Sequence, residues 1–301
     1  MKQRRTDLAL EAKEIWEESA SETTKLSGVI AREEERSGYR VTHVEILDEA
    51  GEAALGKPRG QYITLEMPRL CRREKTDYWG AAAAVAEELS ALLPTDVKAP
   101  VLVAGLGNRA MTPDAIGPLA MDYVLVTRHL IHGAPEHFGE FRPVSALAAG
   151  VMGDTGMESG EIIKAAVAAV QPACVIAVDA LASRSSARMF TTIQISSTGI
   201  VPGSGVGNHR MAIDEETIGV PVISLGVPTV VSAATLCLDL LEKGGQGRAL
   251  PKELLQAGAE LFVTPGDVDK LGETVSKILG LGISRALHVD LSVEDVEMFL
   301  S

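Results

Sequence analysis

The sequence predicts an α/β fold: a mostly parallel sheet with helices on both faces and a small additional β-containing region near the N-terminus. Four short, nearly continuous apolar runs, "VLVAGL", "VSALAAG", "CVIAVDAL" and "VISLGV", are typical of parallel strands buried on both faces. Helical patterns lie between several of these runs, near residues 114–131, 158–170 and 229–241. Strands that alternate with helices favour a sheet covered on both sides.

The other elements follow from local patterns. Residues 8–19 are predicted to form a polar helix. Residues 39–47 and 61–67 alternate with period two, which indicates half-exposed strands in a β region of about 39–67. "YWGAAAAVAEELSALL" predicts a helix, "RMFTTIQIS" an added strand, and "VPGSGVGNHR" a glycine-rich loop. The Thr-Pro opening and interior glycines of residues 264–288 predict a capped helix pair.

Composition excludes several classes of function. The chain has 301 residues, 46% of them hydrophobic, and a net charge of -13, which argues against the basic face that nucleic acid requires. It has no apolar run long enough to cross a bilayer and no signal-peptide core, so we predict a cytoplasmic protein with no membrane partner. Cys71, Cys174 and Cys237 lack C-x-x-C spacing and are predicted to be reduced and structural, the last two as buried thiols.

The stretch "VLVAGLGNRAMTPDAIGP" begins like a dinucleotide-binding strand and turn, because Gly105, Gly107 and Ala110 fit the pattern G-x-G-x-x-G/A. That motif needs a helix that begins inside the glycine turn, whereas the best helix start here is a later N-cap, Thr112. The acidic residue at about the ribose-binding distance, Asp122, falls within the predicted helix. An NAD-binding oxidoreductase is therefore the less favoured alternative, and no cofactor is predicted.

Two aspartates are predicted to lie at the carboxyl edge of the parallel strands, where open α/β sheets bind ligands. Asp114 follows "VLVAGL" by a short loop, and Asp179 ends "CVIAVD", where an acid is costly to bury without a partner. Each aspartate also has a structural alternative. Asp114 could be a helix cap, as in the similar stretch "TPGD" at 264–267, and Asp179 could cap the following segment "ALASRS". Two close carboxylates split their proton affinities, so that one activates water while the other donates a proton. The pair predicts hydrolysis without a nucleophilic side chain.

Other candidates give weaker signals. The chain has no G-x-S-x-G elbow and no H-E-x-x-H motif. His129 and His132 share a predicted helix, but without a third ligand a surface pair is favoured over a metal site, so no metal is predicted. Gly203, Gly205 and His209 lie in the glycine-rich loop, where glycines allow close approach of an extended peptide and the histidine could contact substrate. A flexible connector explains the glycines equally well, and an exposed loop histidine is the favoured alternative for His209.

Eight blocks of the sequence, in order over nearly the whole chain, resemble the germination protease of spore-forming bacteria. They are "RTDLALEAKEI", "GLGNRAMTPDAIGP", "TRHLI", "FRPVSALAAGVMGDTGMES", "VIAVDALASRS", "TIQISSTGIVPGSGVGN", "PVISLGVPTVV" and "LFVTPGDVD". The resemblance implies an endopeptidase that degrades small acid-soluble spore proteins in the spore core at germination. It also implies a sheet like that of the hydrogenase-maturation peptidases, of phosphorylase/hydrolase-like architecture.

The resemblance carries further implications for the site. The two essential aspartates of the family fall on Asp114 and Asp179, which implies an aspartic-type peptidase without a metal. In the related maturation peptidases the equivalent carboxylates contact nickel, so a nickel-dependent endopeptidase is the first alternative. A binding protein with an inactive site is another.

The family is made as self-processing zymogens, and its substrate sites resemble Thr-Glu followed by an apolar residue and alanine. Here Thr6, Asp7, Leu8 and Ala9 imitate that pattern, which implies a propeptide of residues 1–7, self-cleavage between Asp7 and Leu8, and one peptidase domain over residues 8–301. From its position alone, Thr6 or Asp7 would be an ordinary N-cap. The resemblance also implies a homotetramer.

Overall fold

The computed structural model describes residues 6–19, 26–67, 77–207, 210–245 and 251–301. Within these ranges the backbone forms one nine-stranded sheet with the order β1-β2-β3-β7-β8-β6-β4-β5, and β9 pairs with β8. The strands are β1 (Val29–Arg36), β2 (Tyr39–Ile46), β3 (Gly60–Glu66), β4 (Val101–Leu106), β5 (Val144–Gly150), β6 (Cys174–Ser183), β7 (Thr192–Ser196), β8 (Val222–Ser232) and β9 (Phe262–Val263). The predicted α/β class is confirmed.

The helices alternate with the strands from β3 onward. They are α1 (Ala9–Ser19), α2 (Glu49–Leu55), α3 (Tyr78–Ser90), α4 (Ile116–Ala120), α5 (Arg128–Gly133), α6 (Pro135–Phe138), α7 (Met152–Thr155), α8 (Ser159–Val170), α9 (Glu215–Ile218), α10 (Ala233–Lys243), α11 (Lys252–Gly258), α12 (Val268–Leu287) and α13 (Val293–Phe299). None of the helices in the described part of the chain combines the length and the apolar composition that a membrane span requires.

The sheet has a parallel half and an antiparallel half. Strands β5, β4, β6 and β8 are parallel neighbours, whereas β1, β2, β3 and β7 pair antiparallel and join the parallel half at β8. The antiparallel half is larger than predicted because it includes β1, "VIAREEER", whose charged residues gave no alternating signal. Strand β1 pairs along the whole of β2, and this pairing stabilises it, since nearly all residues of β1 are exposed. The predicted connector between β2 and β3 contains α2, which Asp48 caps by accepting a hydrogen bond from the Gly51 amide.

One face of the sheet packs against α3, α4 and α12 and forms the largest apolar core. The predicted C-terminal helix pair was wrong: α12 is a single helix of 20 residues. Its interior glycines do not interrupt the helix; they allow neighbouring segments of backbone to approach it closely. A Cβ on Gly280 would lie 2.6 Å from the Ala120 carbonyl oxygen, and one on Gly282 would lie 2.9 Å from that of Ala82.

The opposite face carries two smaller apolar clusters. One lies at the parallel end, where Ile163 of α8 contacts strand residues such as Leu102 and Val175. The other lies beneath α1, where Ala9 and Ala12 pack with side chains of β2 and β3. The strand region between the two clusters carries polar side chains.

Two further predictions need correction. The helix expected over residues 114–131 is divided into a 3-10 turn at Thr112–Asp114, α4, a second 3-10 turn at Met121–Tyr123 and α5. Cys237 is exposed rather than buried because α10 turns it away from the core, whereas Cys174 is buried as predicted. Cys71 lies outside the described residues.

Candidate active site

The glycines after β4 bring two segments of backbone into contact. A Cβ on Gly105 would lie 2.4 Å from the Gly117 carbonyl oxygen, and one on Gly117 would lie 2.2 Å from that of Leu106 and 2.4 Å from that of Val178. Gly107 has a φ of 103°, and a Cβ there would lie 2.1 Å from the Asp114 carbonyl oxygen. The glycines of the dinucleotide-like pattern thus allow the turn that carries Asp114 to pack on the end of β4 and against the middle of β6 at Val178.

Asp114 ends the 3-10 turn and folds back toward β4. The predicted cap at Thr112 was wrong: Met111 precedes the turn, and no side chain caps it. Instead, the Asp114 carboxylate accepts a hydrogen bond of 2.8 Å from the backbone amide of Asn108. Burial raises the pKa of Asp114, while this amide and the positive charge of Arg210 oppose the rise.

Asp179 is buried, with 4% of its surface exposed. It lies within β6 rather than at its end, because β6 continues to Ser183 beside β8, whereas β4 pairs with β6 only as far as Val178. Its carboxylate accepts a hydrogen bond of 2.9 Å from the Ala180 amide. Burial raises the pKa of Asp179 well above its usual range, and the negative charges of Asp114 and Asp7 raise it further.

The two predicted carboxylates therefore interact, and their surroundings differ. Asp179 has the stronger reasons to remain protonated, namely deep burial and two neighbouring negative charges. Asp114 is half-buried and retains an amide donor and a nearby cation, which favour the ionised form. Such a pair can provide one general base and one general acid.

A lateral row of residues connects Asp179 with the antiparallel half of the sheet. Gly226 of β8 is in register with Asp179 on one side and with Gln194 of β7 on the other. Residues in register on adjacent strands project to the same face of the sheet. Gln194 and Asp179 therefore lie on the same face, separated only by Gly226, which has no side chain. Gln194 was not among the predicted site residues, although the alternation in "TIQIS" assigns Thr192, Gln194 and Ser196 to one polar face.

Asp7 is bound directly at this site. Its backbone amide donates to the Ala182 carbonyl at 3.1 Å, and its carboxylate accepts from the Ala182 amide at 2.9 Å and from the Ser204 hydroxyl at 2.8 Å. The next residue, Leu8, is completely buried. The segment predicted to be cleaved thus lies against β6 and contacts Ala182, which is three residues after Asp179 in the strand.

The glycine-rich loop forms one wall around Asp7. Gly203 and Gly207 have φ values of 73° and 78°, which favour glycine, and flank a short 3-10 turn. A Cβ on Gly205 would lie 2.1 Å from the Asp7 carboxylate, so the loop approaches this side chain closely. Gly203 shapes the loop, Gly205 contacts Asp7, and His209 lies outside the described residues.

Two side chains outside the predicted set of site residues contact the Asp7 carbonyl. The Lys57 ammonium donates to it at 3.0 Å, and the Gln194 amide donates at 3.2 Å. The Gln194 side-chain oxygen accepts a hydrogen bond of 2.7 Å from the Ala9 amide. The Asp7–Leu8 peptide group is thus fixed by contacts on both sides.

A buried ion pair anchors α1 behind this segment. Arg188 donates to Glu11 at 3.1 Å and to Glu14 at 2.6 Å, and Glu11 also accepts from the Thr6 hydroxyl and from the Arg184 amide. Glu11 is completely buried, and burial raises its pKa despite these donors. The N-terminal segment is therefore held by charge pairing as well as by apolar packing.

His129 and His132 lie on α5, where both are exposed. Within the described ranges, no group of three or more His, Cys, Asp and Glu side chains is arranged to hold a metal ion. Asp122, the acid considered for ribose binding, pairs with Arg109 at 2.5 Å on the surface.

The fold and the site define an α/β protein with two interacting carboxylates beside a bound segment of its own chain. A family model described as germination protease matches residues 9–243. Relatives named germination protease include those of Caldanaerobacter subterraneus subsp. tengcongensis, 43% identical over 98% of both chains, and of Clostridium perfringens, 41% identical over 99% of both. That of Bacillus subtilis is 37% identical over 97% of this chain and 95% of its own. The chain belongs to the germination protease family and is accordingly an endopeptidase.

A more distant similarity links the chain to a solved structure. The nickel-iron hydrogenase maturation protease of Thermococcus kodakarensis KOD1 matches 64% of this chain and 98% of its own, with 20% identity and a TM-score of 0.33. This similarity is too remote to assign roles to individual residues.

Proposed function

We propose that the chain is an aspartic-type endopeptidase that degrades small acid-soluble spore proteins at germination, made as a zymogen that cleaves itself between Asp7 and Leu8. The docking of Asp7 beside Asp179 carries this proposal. Membership in the germination protease family supports the same substrate class. Residues 1–7 would then be the propeptide and residues 8–301 the mature peptidase.

The environments of the two carboxylates support an assignment of roles. Asp114 acts as the general base and takes a proton from water, whose oxygen bonds to the Asp7 carbonyl carbon. Asp179 acts as the general acid and gives its proton to the Leu8 nitrogen as the carbon–nitrogen bond breaks. Water is thus divided between the two products, and transfer of a proton from Asp114 back to Asp179 restores the starting state.

The recognition of Asp7 supports selectivity for an acidic residue before the cleaved bond. A buried backbone amide and a hydroxyl bind the carboxylate, and charge-assisted hydrogen bonds of this kind are strong. The completely buried Leu8 accounts for an apolar residue after the bond. Both features agree with the Thr-Asp-Leu-Ala sequence of the segment.

Self-processing gives a direct test. The purified chain is incubated at mildly acidic pH while its intact mass is followed, and we expect the loss of Met1 to Asp7. Asp114→Asn and Asp179→Asn should each abolish this loss, whereas Asp267→Asn, in the similar but exposed "TPGD" turn, should process normally. Normal processing by both active-site variants would disprove the two-carboxylate mechanism.

Two further parts of the proposal concern location and assembly. We expect the protein to act in the cytoplasm of the spore core as a homotetramer, with no nucleic acid or membrane partner. Light scattering of the purified chain measures its mass directly. A mass of one chain at micromolar concentration would contradict the tetramer without affecting the chemistry.

A further inference from the structure

Lys57 is a cation whose side chain points to backbone carbonyls rather than to carboxylates. It lies between α2 and β3, and its ammonium donates to the carbonyls of Asp7 at 3.0 Å and Thr6 at 3.4 Å. Among the described residues it forms no ion pair within 4.0 Å. Burial lowers the pKa of Lys57, while the charges of Asp7 and Glu11 oppose that change. Lys57 is partly buried, and withdrawing a cation from water is costly, so this placement requires an explanation.

Gln194 provides a second donor to the same oxygen. Its amide nitrogen lies 3.2 Å from the Asp7 carbonyl, and its amide oxygen accepts from the Ala9 backbone amide at 2.7 Å. Gln194 is buried within β7, and its contact with Ala9 orients the amide so that the nitrogen faces Asp7. The two donors therefore converge on one carbonyl oxygen from different elements.

We propose that Lys57 and Gln194 are catalytic residues that stabilise the negative charge on the carbonyl oxygen of the cleaved bond. This inference rests on the proposed self-cleavage between Asp7 and Leu8. When water adds to the carbonyl carbon, the oxygen becomes an oxyanion, and donors already aimed at it bind this state more strongly than the ground state. The Lys57 cation supplies a full positive charge, and Gln194 supplies a fixed dipole.

This arrangement also means that Asp179 needs to act only as the proton donor to the leaving nitrogen. With the oxygen held by Lys57 and Gln194, the Asp179 proton is available for the leaving Leu8 nitrogen. The Leu8 amide donates to the Thr6 hydroxyl at 3.0 Å, which fixes the orientation of the peptide plane. The same two donors would serve the carbonyl of a spore-protein substrate once the N-terminal segment has left.

The competing explanation is that Lys57 and Gln194 only hold the segment in place. Docking has other supports, namely the Ala182 and Ser204 contacts of Asp7, the buried Leu8 and the Glu11–Arg188 pair. Loss of one donor should therefore reduce the cleavage rate much more than it reduces docking. A role in holding alone would reduce both to a similar extent.

The test compares these two quantities in the full chain. The cleavage rate constant is measured by intact mass for Lys57→Met and for the isosteric Gln194→Glu, which keeps the acceptor for Ala9 and removes the donor. Docking is measured by hydrogen exchange of the peptide covering residues 6–12 in an Asp179→Asn background. We expect Lys57→Met to slow cleavage about a hundredfold, and Gln194→Glu at least about tenfold, with protection changed by less than about threefold. Lys98→Met, at an exposed lysine paired with Glu140, serves as the control.

The outcomes separate this inference from the proposed function. Parallel losses of rate and protection would assign both residues to holding and overturn the inference. If Lys57→Met and Gln194→Glu both cleave themselves at the wild-type rate while Asp179→Asn does not cleave, the inference is also overturned. The proposed function would stand in that case. Absence of cleavage in the wild-type chain would overturn both.

Discussion

Gly105 and Gly117 are in close contact, and this contact places the turn that carries Asp114 on the end of β4 and against the middle of β6. A side chain on Gly117 would meet the backbone of both strands, since its Cβ would lie 2.2 Å from the Leu106 carbonyl oxygen and 2.4 Å from that of Val178. Backbone atoms in a sheet cannot move aside as a flexible side chain can. The position of the proposed catalytic carboxylate of Asp114 thus depends on glycine at both positions, where any side chain would clash.

Gly117→Ala should therefore disturb both the fold and the site. We expect a loss of about 2 kcal/mol in the free energy of unfolding from overpacking, measured by urea denaturation, together with slower self-cleavage. Gly133→Ala is the matched control, because a Cβ at this helical position meets nothing within 4 Å. Equal stability of the two variants would show that the contact is not tight.

Ser204→Ala tests recognition of the acidic residue before the cleaved bond. Among the described residues, the change removes one of two donors to the Asp7 carboxylate, and a hydrogen bond to a charged group is worth about 1.5–3 kcal/mol. We expect self-cleavage, followed by intact mass, to slow at least about tenfold. Thr274→Ala, which removes an exposed hydroxyl bonded within α12, should process at the wild-type rate. A wild-type rate for Ser204→Ala would exclude this hydroxyl from recognition.

Arg188→Ala tests the ion pair that anchors α1. It leaves Glu11 completely buried without its cation, which should cost about 3 kcal/mol of unfolding free energy. Since burial raises the pKa of folded Glu11 above its unfolded value, this cost should be greatest at neutral pH and shrink as acidification protonates the group. Urea denaturation in the Asp179→Asn background avoids self-cleavage.

Arg109→Ala provides the comparison for that measurement. Its pair with Asp122 is exposed, so its loss should cost less than about 1 kcal/mol at any pH. If the two arginine variants lose the same stability, the Glu11 pair does not anchor the helix.

His288 predicts a loss of stability in acid. Burial lowers its pKa from 6.5 to about 4, so the unfolded chain binds this proton more readily than the folded one. The free energy of unfolding should fall as pH decreases from about 6.5 to about 4, by about 3 kcal/mol from this group. His288→Phe, beside the Phe141 ring, should remove that slope, whereas the same change at the exposed His137 should preserve it. An unchanged slope in His288→Phe would refute the assignment.

Metal removal separates the proposed mechanism from its nickel-dependent alternative. Two carboxylates that divide the roles of acid and base need no metal, so dialysis against EDTA should leave the self-cleavage rate unchanged. A loss of activity that added nickel restores would favour the alternative.

Much of the fold was predictable because its strands carry strong apolar patterns. The four parallel strands appeared as nearly continuous apolar runs, and α1, α3 and α8 followed from helical periodicity. Strand β1 was missed because sheet pairing, rather than burial, stabilises it. The division of α12 into two helices was wrong because its glycines reflect close packing, which a local pattern cannot distinguish from a break.

The sequence by itself determined the α/β class, the family resemblance and the candidate acids Asp114 and Asp179, because these depend on local patterns of apolar, glycine and acidic residues. Tertiary structure alone decided that Lys57 and Gln194 meet at the Asp7 carbonyl. Those residues are 50 and 187 positions from Asp7 along the chain. Their convergence depends on the register of β7 beside β8 and on the docking of α1, which are properties of long-range pairing and packing.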